Sequence, residues 1–467
     1  MKLNPIVAAR YMAVTLDELA ARVADVIGET LNEKESYREM MMRKRFIPAG
    51  NTLLAGVQPI RPNCCILPPL TNLTIESTLA RSMILWTERI GIGFDFSQVD
   101  DPVATLEKFS AANAGIDLGH RPQRGNMAVV DIQHPRIKDF ITCKTSKVGG
   151  KHLYNFNISI GVRTADLTNP RYAEILELMA QCAWASGDPG IVFLDRITKV
   201  PDQDGNSDQV EIPHLGKMTT VVPCGEQPCY PLESCCLGSI NLACPDFWTQ
   251  EPKPVFNETL FRETVFNAVR FLDSTIDRME ISDVELKAMS LHTRRIGLGV
   301  MGWADVLAQQ NIPYANPASL ELAQMIGSLF KQAAHQASRE LAIEKGQCPP
   351  LISIGIKRRN LTVTCFPPTG GTTLITNNKG FSIEPFFEDA HNLTPYQHLE
   401  MQAVWQRYLD NCISKTINLP SRATVEDIGA IWRTAADMGL KSVTVYRDGS
   451  KSGQPMITDC KSGRCQI

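Results

Sequence analysis

The sequence feature that most constrains the fold is an alternation of short β-branched runs with longer helical patterns, starting near residue 50. The runs NISIGV, GIVFL, LTVTCF and SVTVY are typical of buried strands. RYAEILELMAQCAWA and LELAQMIGSLFKQAAHQASRELAIEKG lie among them and have apolar residues at helical spacing. Because strands that alternate with helices pair in parallel, the sequence predicts an α/β fold.

Three segments differ in composition. Residues 1–48 are helical in pattern, since LDELAARVADVIGETL places Asp17 and Glu18 near the start of an apolar stripe. Residues 49–446 contain no internal repeat and no flexible linker, which predicts one main domain. Residues 447–467 are rich in Gly, Ser and Lys, and we expect a flexible C-terminal tail.

Charge and apolar patterning exclude several function classes. A net charge of −3 gives no electrostatic basis for direct nucleic-acid binding or for coating an anionic membrane. We find no apolar run of about 18 residues and no signal peptide, so we expect a cytoplasmic protein. Its 14 cysteines then indicate intracellular thiols rather than a disulfide framework.

One thiol lies beside a carboxylate in TVVPCGEQPCYPLESCCLGSINLA. A tight, non-helical turn at Cys224-Gly225-Glu226 can project Cys224 into a cavity with Glu226 on the same side. The alternative is a buried cysteine beside a solvated glutamate. Adjacent cysteines rarely bond each other, so Cys64-Cys65 and Cys235-Cys236 each offer a thiol to a distant partner. We interpret the following as plain core residues: Cys143, Cys182, Cys244, Cys348, Cys365 and Cys412.

Two further segments suggest ligand chemistry. Cys460 and Cys465 form a C-x4-C pair in the tail, which favours a thiol–disulfide shuttle. A zinc site is the competing interpretation, but the pair supplies only two ligands, so we predict no metal site. Glycines and hydroxyls that could hold a phosphate at a helix start occur in one short segment, and an ordinary turn is the alternative. These residues are Thr369, Gly370, Gly371, Thr372 and Thr373.

Over nearly its whole length and in order, the chain resembles the catalytic subunit of ribonucleotide reductases. The segments that carry the resemblance are FIPAGNTLLAG, NCCILP, GIGFDFS, LGHRPQRGNMAVVDIQHPRIKDFI, WASGDPGIVFLDR, PCGEQP, SCCLGSINLA, RRIGLGVMGWADVL, the PTG segment, SIEP, SKTINLP and VTVYRDGS. The resemblance implies a ten-stranded α/β barrel of two five-stranded half-barrels. A central finger loop lies inside it, and an N-terminal helical segment precedes it.

The resemblance also implies the roles of individual residues. Cys224 would hold the thiyl radical, Glu226 would be the general base, and Cys64 and Cys235 would form the disulfide produced at each turnover. Cys460 and Cys465 would be the redox tail, reduced by a thioredoxin- or glutaredoxin-type partner. Substrate phosphates would bind at Thr369 to Thr373, with Asn63 near the ribose. A loop for the nucleotide effector or substrate would contain Gly119, Arg121, Gln123, Arg124, Gly125 and Asn126.

The sequence departs from the family pattern in four places. Val222 stands where many members have asparagine two residues before the radical cysteine. The family's core begins almost at Met1, so we expect no ATP-cone and no on/off control by ATP and dATP. The segment between FDFSQVD and DPVATLEKFS is short, and the chain as a whole is compact. Both specificity control and the choice between monomer and homodimer therefore stay open.

The radical source is the main alternative that the sequence leaves open. Members that use a separate di-iron or dimanganese small subunit have adjacent tyrosines near the C-terminus, whereas here Val445 precedes the single Tyr446. The single tyrosine favours adenosylcobalamin as the radical source. If a metal-containing small subunit supplies the radical instead, Tyr446 would be the relay. The predicted activity is reduction of ribonucleotide di- or triphosphates to 2′-deoxyribonucleotides. Two other readings are a non-catalytic nucleotide-binding paralogue and a general thiol–disulfide oxidoreductase.

Overall fold

The computed structural model describes residues 2–117, 125–145, 153–205, 210–249, 254–390 and 392–450. The strands in these ranges are β1 (Phe46–Pro48), β2 (Cys64–Ile66), β3 (Gly91–Asp95), β4 (Asn126–Asp131), β5 (Phe156–Val162), β6 (Gly190–Phe193), β7 (Cys236–Asn241), β8 (Ile296–Met301), β9 (Thr416–Leu419) and β10 (Ser442–Arg447).

The α-helices of the described residues surround these strands. They are α1 (Pro5–Tyr11), α2 (Leu16–Ile27), α3 (Leu31–Met42), α4 (Ile75–Thr87), α5 (Pro102–Ala114), α6 (Ile137–Thr142), α7 (Ala173–Ser186), α8 (Leu194–Ile197), α9 (Glu258–Arg278), α10 (Val284–Thr293), α11 (Trp303–Gln309), α12 (Pro317–Lys345), α13 (Pro349–Ile352), α14 (Gly370–Thr376), α15 (Phe387–Ala390), α16 (Pro395–Gln406) and α17 (Val425–Asp437). Not one of them is both long and apolar enough to cross a membrane.

The strands form two groups that run in opposite directions. Strands β2, β3, β4, β5 and β6 pair in parallel in that order. In the second group β7 pairs with β8 and β9 with β10, again in parallel. The groups meet where β10 runs antiparallel to β6. Parallel strands need helical crossovers, which explains why helices separate most of the strands in sequence.

Short backbone bridges link the second group to itself and to the first. Val363 and Cys365 exchange hydrogen bonds with Leu298 of β8 (2.8 and 3.0 Å), and Phe366 bridges Ile413 just before β9. On the other side, the Cys235 amide donates to the Cys64 carbonyl of β2 at 2.8 Å. The α/β class and the two five-stranded halves are therefore confirmed, although isolated bridges rather than one continuous closed sheet join the strands.

The segment LTVTCF was expected to be a regular strand, and this expectation was wrong. Only isolated bridges form there, at Thr364 and Phe366. The physical reason is a buried carboxylate, because Asp410 Oδ2 accepts hydrogen bonds from the amides of Val363 and Thr364 at 2.7 and 3.3 Å. The backbone amides of Val363 and Thr364 therefore bond to a side chain, although this segment lies beside β8.

The N-terminal segment is helical, but not throughout. The pattern that predicted one helix over residues 16–31 is divided into α2 and α3, because Thr30 starts a new helix with a capping box to Glu33. Residues Phe46–Pro48 then form β1, which runs antiparallel to β7 with Phe46 opposite Ile240. The end of the segment 1–48 thus belongs to the sheet next to β7, and the proposed domain boundary at residue 48 stays a prediction.

Candidate active site

Residues 221–228 form a tight hairpin, called the finger hairpin below. Val221 pairs with Pro228, and the Val222 amide donates to the Gln227 carbonyl at 2.9 Å. The Gly225 amide donates back to the Val222 carbonyl at 2.8 Å, with Gly225 at φ +78°, where a side chain would be strained. The motif CGE therefore turns sharply and places Cys224 at the tip.

The first half of the barrel holds one arm of the finger hairpin. The hydroxyl of Thr220 donates to the Phe94 carbonyl in β3 at 3.1 Å. The side-chain amide of Asn157 in β5 donates to the Pro223 carbonyl at 2.9 Å, immediately before Cys224. Asn157 is a positioning contact that the sequence analysis did not single out, although it begins the strand motif NISIGV.

The second half holds the returning arm. The side-chain amide of Gln227 donates to the Ile296 carbonyl at the start of β8 at 3.0 Å. The Cys412 amide donates to the Glu226 carbonyl at 2.9 Å. Contacts to both halves place the finger hairpin between them, as expected for a central finger loop.

Glycines of β3 make room for the finger hairpin. A Cβ atom on Gly93 would lie 2.3 Å from the Val221 carbonyl oxygen, and one on Gly91 would lie 3.1 Å from Pro223 Cγ and 3.2 Å from Cys64 Sγ. Such distances are below van der Waals contact, so side chains at these positions would displace the hairpin. The motif GIGFDFS thus has a steric explanation in its two glycines.

Cys224 and Glu226 differ sharply in their exposure. Cys224 is exposed, alone among the twelve described cysteines. The Glu226 side chain is buried, and its Oε2 has no hydrogen-bond partner among the described residues. Burial raises the pKa of the Glu226 carboxyl to about 7. The alternative of a buried cysteine beside a solvated glutamate is therefore wrong in both respects, and Glu226 is poised to accept a proton near neutral pH.

Cys64 and Cys235 lie on neighbouring antiparallel backbones. Cys65 bridges Ser234, so Cys64 faces Cys235, and the Cys235 amide donates to the Cys64 carbonyl at 2.8 Å. Opposite residues of such a pair are about 4.5–5.5 Å apart at Cα, within the range that a disulfide spans. Burial raises the pKa of Cys235, as do neighbouring Cys229, Cys64 and Glu226. A thiol that stays protonated can donate hydrogen.

Two further thiols lie in this site. One apolar cluster contains Cys64, Cys229, Cys235 and Cys365, together with Ile66, Val222 and Leu237. Cys229 was not considered from the sequence. Cys365 is buried, as its interpretation as a core residue requires, but its position beside Glu226 was not foreseen. Cys229 and Cys365 share this cluster with Cys64, which is more than a hundred residues away from either in sequence, so no local pattern predicts the grouping.

Val222 occupies the position where an amide was expected from the family pattern. Its side chain is fully buried and packs in the same apolar cluster as Cys64 and Cys235. An isopropyl group there extends the apolar wall around the thiols and supplies no hydrogen bond to a ribose.

The segment with the phosphate-binding pattern does begin a helix. Thr369 precedes α14, whose first amides have no partner inside the helix. The hydroxyls are engaged within the protein: Thr369 Oγ1 accepts from the Ser382 amide (2.7 Å), Thr372 donates to the Thr369 carbonyl (3.0 Å), and Thr373 donates to the Gly370 carbonyl (3.0 Å). The groups that the loop offers to a ligand are thus its first backbone amides and the hydroxyl hydrogen of Thr369, since Thr369 Oγ1 only accepts in the contact with Ser382.

Two other predicted residues lie around the site. Asn63 is buried. Its backbone amide donates to the Cys235 carbonyl at 3.2 Å, and its backbone carbonyl accepts from the Gly91 amide at 3.1 Å. Arg10 of α1 lies against the phosphate-loop candidate, with a guanidinium nitrogen 3.4 Å from the position of a Cβ on Gly371. The sequence analysis did not identify Arg10, because it lies some 360 positions upstream.

Only the end of the expected effector or substrate loop is described. Gly119, Arg121, Gln123 and Arg124 lie outside the described residues. The Gly125 carbonyl oxygen lies 3.0 Å from the position of a Cβ on Gly91, and a Cβ on Gly125 would lie 3.6 Å from Pro223. Asn126 is the first residue of β4, and its buried amide bonds Trp86 Nε1 (2.8 Å) and the Asn155 carbonyl (3.2 Å). The loop therefore ends beside the finger hairpin.

The remaining predicted residues belong to the C-terminal part of the chain. Cys460 and Cys465 lie outside the described residues. Tyr446 lies on β10, its hydroxyl is buried with no hydrogen-bond partner among the described residues, and burial raises its pKa. Within the described ranges, we find no group of three or more side chains arranged to hold a metal ion.

Comparison with known proteins agrees with this geometry. The protein-family model "Ribonucleotide reductase, barrel domain" matches residues 165–351 and 382–446 of the sequence. The chain belongs to the ribonucleotide reductase family. A vitamin B12-dependent ribonucleoside-diphosphate reductase of Thermoplasma acidophilum is 32% identical over 90% of this chain and 65% of its own length. One of Mycobacterium tuberculosis is 31% identical over 91% of this chain and 74% of its own length.

A solved structure of the same family shares the fold. The alpha subunit of a class Id ribonucleotide reductase from Actinobacillus ureae superposes with a TM-score of 0.79. The match covers 96% of this chain and 97% of that one, at 17% identity. The chain spans 65% and 74% of the length of these two curated relatives.

Proposed function

We propose that this chain is a ribonucleotide reductase catalytic subunit that converts ribonucleotides to 2′-deoxyribonucleotides. The observation that carries the proposal is the grouping on one hairpin and one strand pair. An exposed thiol at Cys224, a buried carboxyl at Glu226 and the facing thiols of Cys64 and Cys235 lie together. We favour diphosphates as substrates, since the relatives from Thermoplasma and Mycobacterium are named ribonucleoside-diphosphate reductases.

In the proposed reaction each residue has a separate task. A thiyl radical at Cys224 abstracts the 3′-hydrogen of the ribose, and Glu226 accepts the proton of the 3′-hydroxyl. The 2′-hydroxyl leaves as water after a thiol protonates it. Cys64 and Cys235 supply two electrons and two protons and become a disulfide. Cys224 then returns the 3′-hydrogen to the ribose and is again a thiyl radical, and Glu226 returns the proton to the 3′-oxygen. The substrate thus loses one oxygen as water, while two thiols are oxidised.

The names of the relatives include vitamin B12, and adenosylcobalamin, a form of that vitamin, would supply an organic radical when bound. The feature of this chain that fits it is the exposed Cys224 thiol, because a bulky group can approach the tip of the finger hairpin from outside. The single Tyr446, with Val445 before it, does not make the tyrosine pair expected for relay from a metal-containing small subunit. Cobalamin dependence is therefore the proposed branch.

The disulfide must be reduced between turnovers. We propose that Cys460 and Cys465 do this by thiol–disulfide exchange and are then reduced by a thioredoxin- or glutaredoxin-type protein. The helix start at Gly370 and Gly371 is the proposed position of the substrate phosphates, with backbone amides as donors.

An activity assay of the purified full chain tests the proposal. With a dithiol reductant, CDP and adenosylcobalamin, we expect dCDP by chromatography, and less product with CTP. No product with cobalamin, but product when a metal-loaded small subunit is added, would refute the cobalamin branch alone. Nucleotide binding without product under either radical supply would instead support the non-catalytic alternative.

The raised pKa of Glu226 gives a pH prediction. The carboxylate fraction of Glu226 increases as the pH rises through about 7, so the rate of product formation should fall on the acid side of that value. In Glu226→Gln we expect the rate of product formation to be about 10²–10⁴-fold lower, and this rate should no longer fall below pH 7. Glu174→Gln, whose side chain is 86% exposed, is the matched control and should retain the wild-type profile.

The same substitution has a readout that does not depend on activity. Because the folded-state pKa of Glu226 is raised from 4.5, the folded protein binds more protons than the unfolded chain between pH 4.5 and about 7. Its contribution to stability therefore falls as the pH rises through that interval. Denaturant unfolding measures the free energy of unfolding at pH 5 and at pH 8. From pH 5 to pH 8 this free energy should decrease less in Glu226→Gln than in the wild type. Equal decreases would contradict the assigned burial.

A further inference from the structure

Cys229 lies against the proposed redox pair although no family role is assigned to it. Its side chain is 1% exposed and belongs to the apolar cluster that contains Cys64 and Cys235. Cys229 is also close enough to Cys235 to raise the pKa of the Cys235 thiol, after the larger effect of burial. Their sulfur atoms are therefore neighbours in the reduced protein.

The chain geometry fixes this contact. Pro228, the residue just before Cys229, pairs with Val221 and ends the finger hairpin. The Glu233 amide then donates to the Tyr230 carbonyl at 3.1 Å, and the Glu233 carboxylate accepts from the Tyr230 amide at 2.6 Å. This turn reverses the chain between the two cysteines and brings Cys235 back onto Cys229.

A buried ion pair locks the turn. Glu233 Oε2 accepts from Arg295 Nε at 2.8 Å, and both side chains are fully buried. The same guanidinium reaches Thr362 (2.9 Å) and Asn411 (3.0 Å) in the neighbouring segments. The position of Cys229 is thus tied to the second half of the barrel and does not depend on a mobile loop.

We propose that Cys229 is a third thiol of the redox site, which exchanges with the Cys64–Cys235 disulfide. This inference rests on the proposed function. In the step, the Cys229 sulfur loses its proton and attacks the Cys235 sulfur, so that a Cys229–Cys235 bond forms and the Cys64–Cys235 bond breaks. The Cys64 sulfur leaves with the electron pair and takes up the proton that Cys229 loses, and no net oxidation occurs. The oxidised site then exists as two disulfide isomers.

Disulfide mapping of the full chain tests this without turnover. The reduced protein is oxidised with diamide, which takes two electrons per disulfide, then alkylated and digested for mass spectrometry. In the wild type we expect both Cys64–Cys235 and Cys229–Cys235. In Cys64→Ser most Cys235 should be recovered bonded to Cys229, and in Cys229→Ser only Cys64–Cys235 should remain. If Cys64→Ser does not fold, Cys64→Ala takes its place.

The control variant is Cys365→Ala in the Cys64→Ser background, because Cys365 shares the apolar cluster. Cys229–Cys235 should persist there. A Cys235–Cys365 bond in Cys64→Ser, or Cys235 left as a thiol while the wild type forms Cys64–Cys235, would overturn the exchange and leave the proposed function standing. Absence of Cys64–Cys235 from the oxidised wild type would overturn both, since the exchange would have no disulfide to act on.

Discussion

Replacing Cys224 with serine should abolish deoxynucleotide formation, with a loss of at least about 10³-fold, and leave the fold unchanged. Serine keeps the size of the side chain but cannot hold a thiyl radical, so hydrogen abstraction from the ribose stops. Because Cys224 is exposed at the tip of the finger hairpin, the substitution removes no core packing. Such substitutions change the free energy of unfolding by about 0.5 kcal/mol or less. Product chromatography and denaturant unfolding measure the two effects.

Cys182→Ser is the matched control for this experiment. Cys182 lies on α7, far along the chain from the finger hairpin, and its sulfur is 3.5 Å from the Thr145 hydroxyl, a contact that a serine can keep. We expect near wild-type activity from it. Full activity in Cys224→Ser would refute the radical role. Turnover of small disulfides in that variant, with no deoxynucleotide formed, would support the general thiol–disulfide oxidoreductase instead.

Much of the fold could be predicted because its signals are local. Strands such as NISIGV and SVTVY are short and β-branched, and both appear as β5 and β10. The turn at Cys224-Gly225-Glu226 could also be expected, because glycine next to cysteine permits the positive φ that the hairpin needs. The resemblance to the family then linked Cys64 with Cys235, although 170 residues separate them.

The rest depends on contacts that no local pattern encodes. The hydrogen bond from Asn157 to Pro223, and Arg10 beside Gly371, join segments that only the tertiary fold brings together. LTVTCF has a strand pattern, but the Asp410 carboxylate engages two of its amides. Cys229 resembles a core residue in sequence, and only its position beside Cys235 gives it a proposed role.

The second large effect is expected on stability, in Glu233→Gln. The substitution removes the charge that faces Arg295, although both side chains are fully buried. A buried guanidinium without its counter-charge costs about 3–5 kcal/mol, a large part of the stability of a typical protein. Denaturant unfolding should therefore show a marked decrease in the free energy of unfolding. Asp17→Asn, which breaks an ion pair to Arg38 with both side chains about half exposed, should cost about 1 kcal/mol or less.

A double variant separates the charge from the packing. Glu233→Gln combined with Arg295→Met removes both buried charges, and we expect it to be more stable than Glu233→Gln alone, since no unpaired charge remains. The Tyr230 amide, which donates to Glu233, can still find the glutamine oxygen, so the turn that positions Cys229 should persist in both variants. If the double variant is less stable than the single one, the hydrogen bonds from Arg295 to Thr362 and Asn411 stabilise the barrel more than the ion pair does.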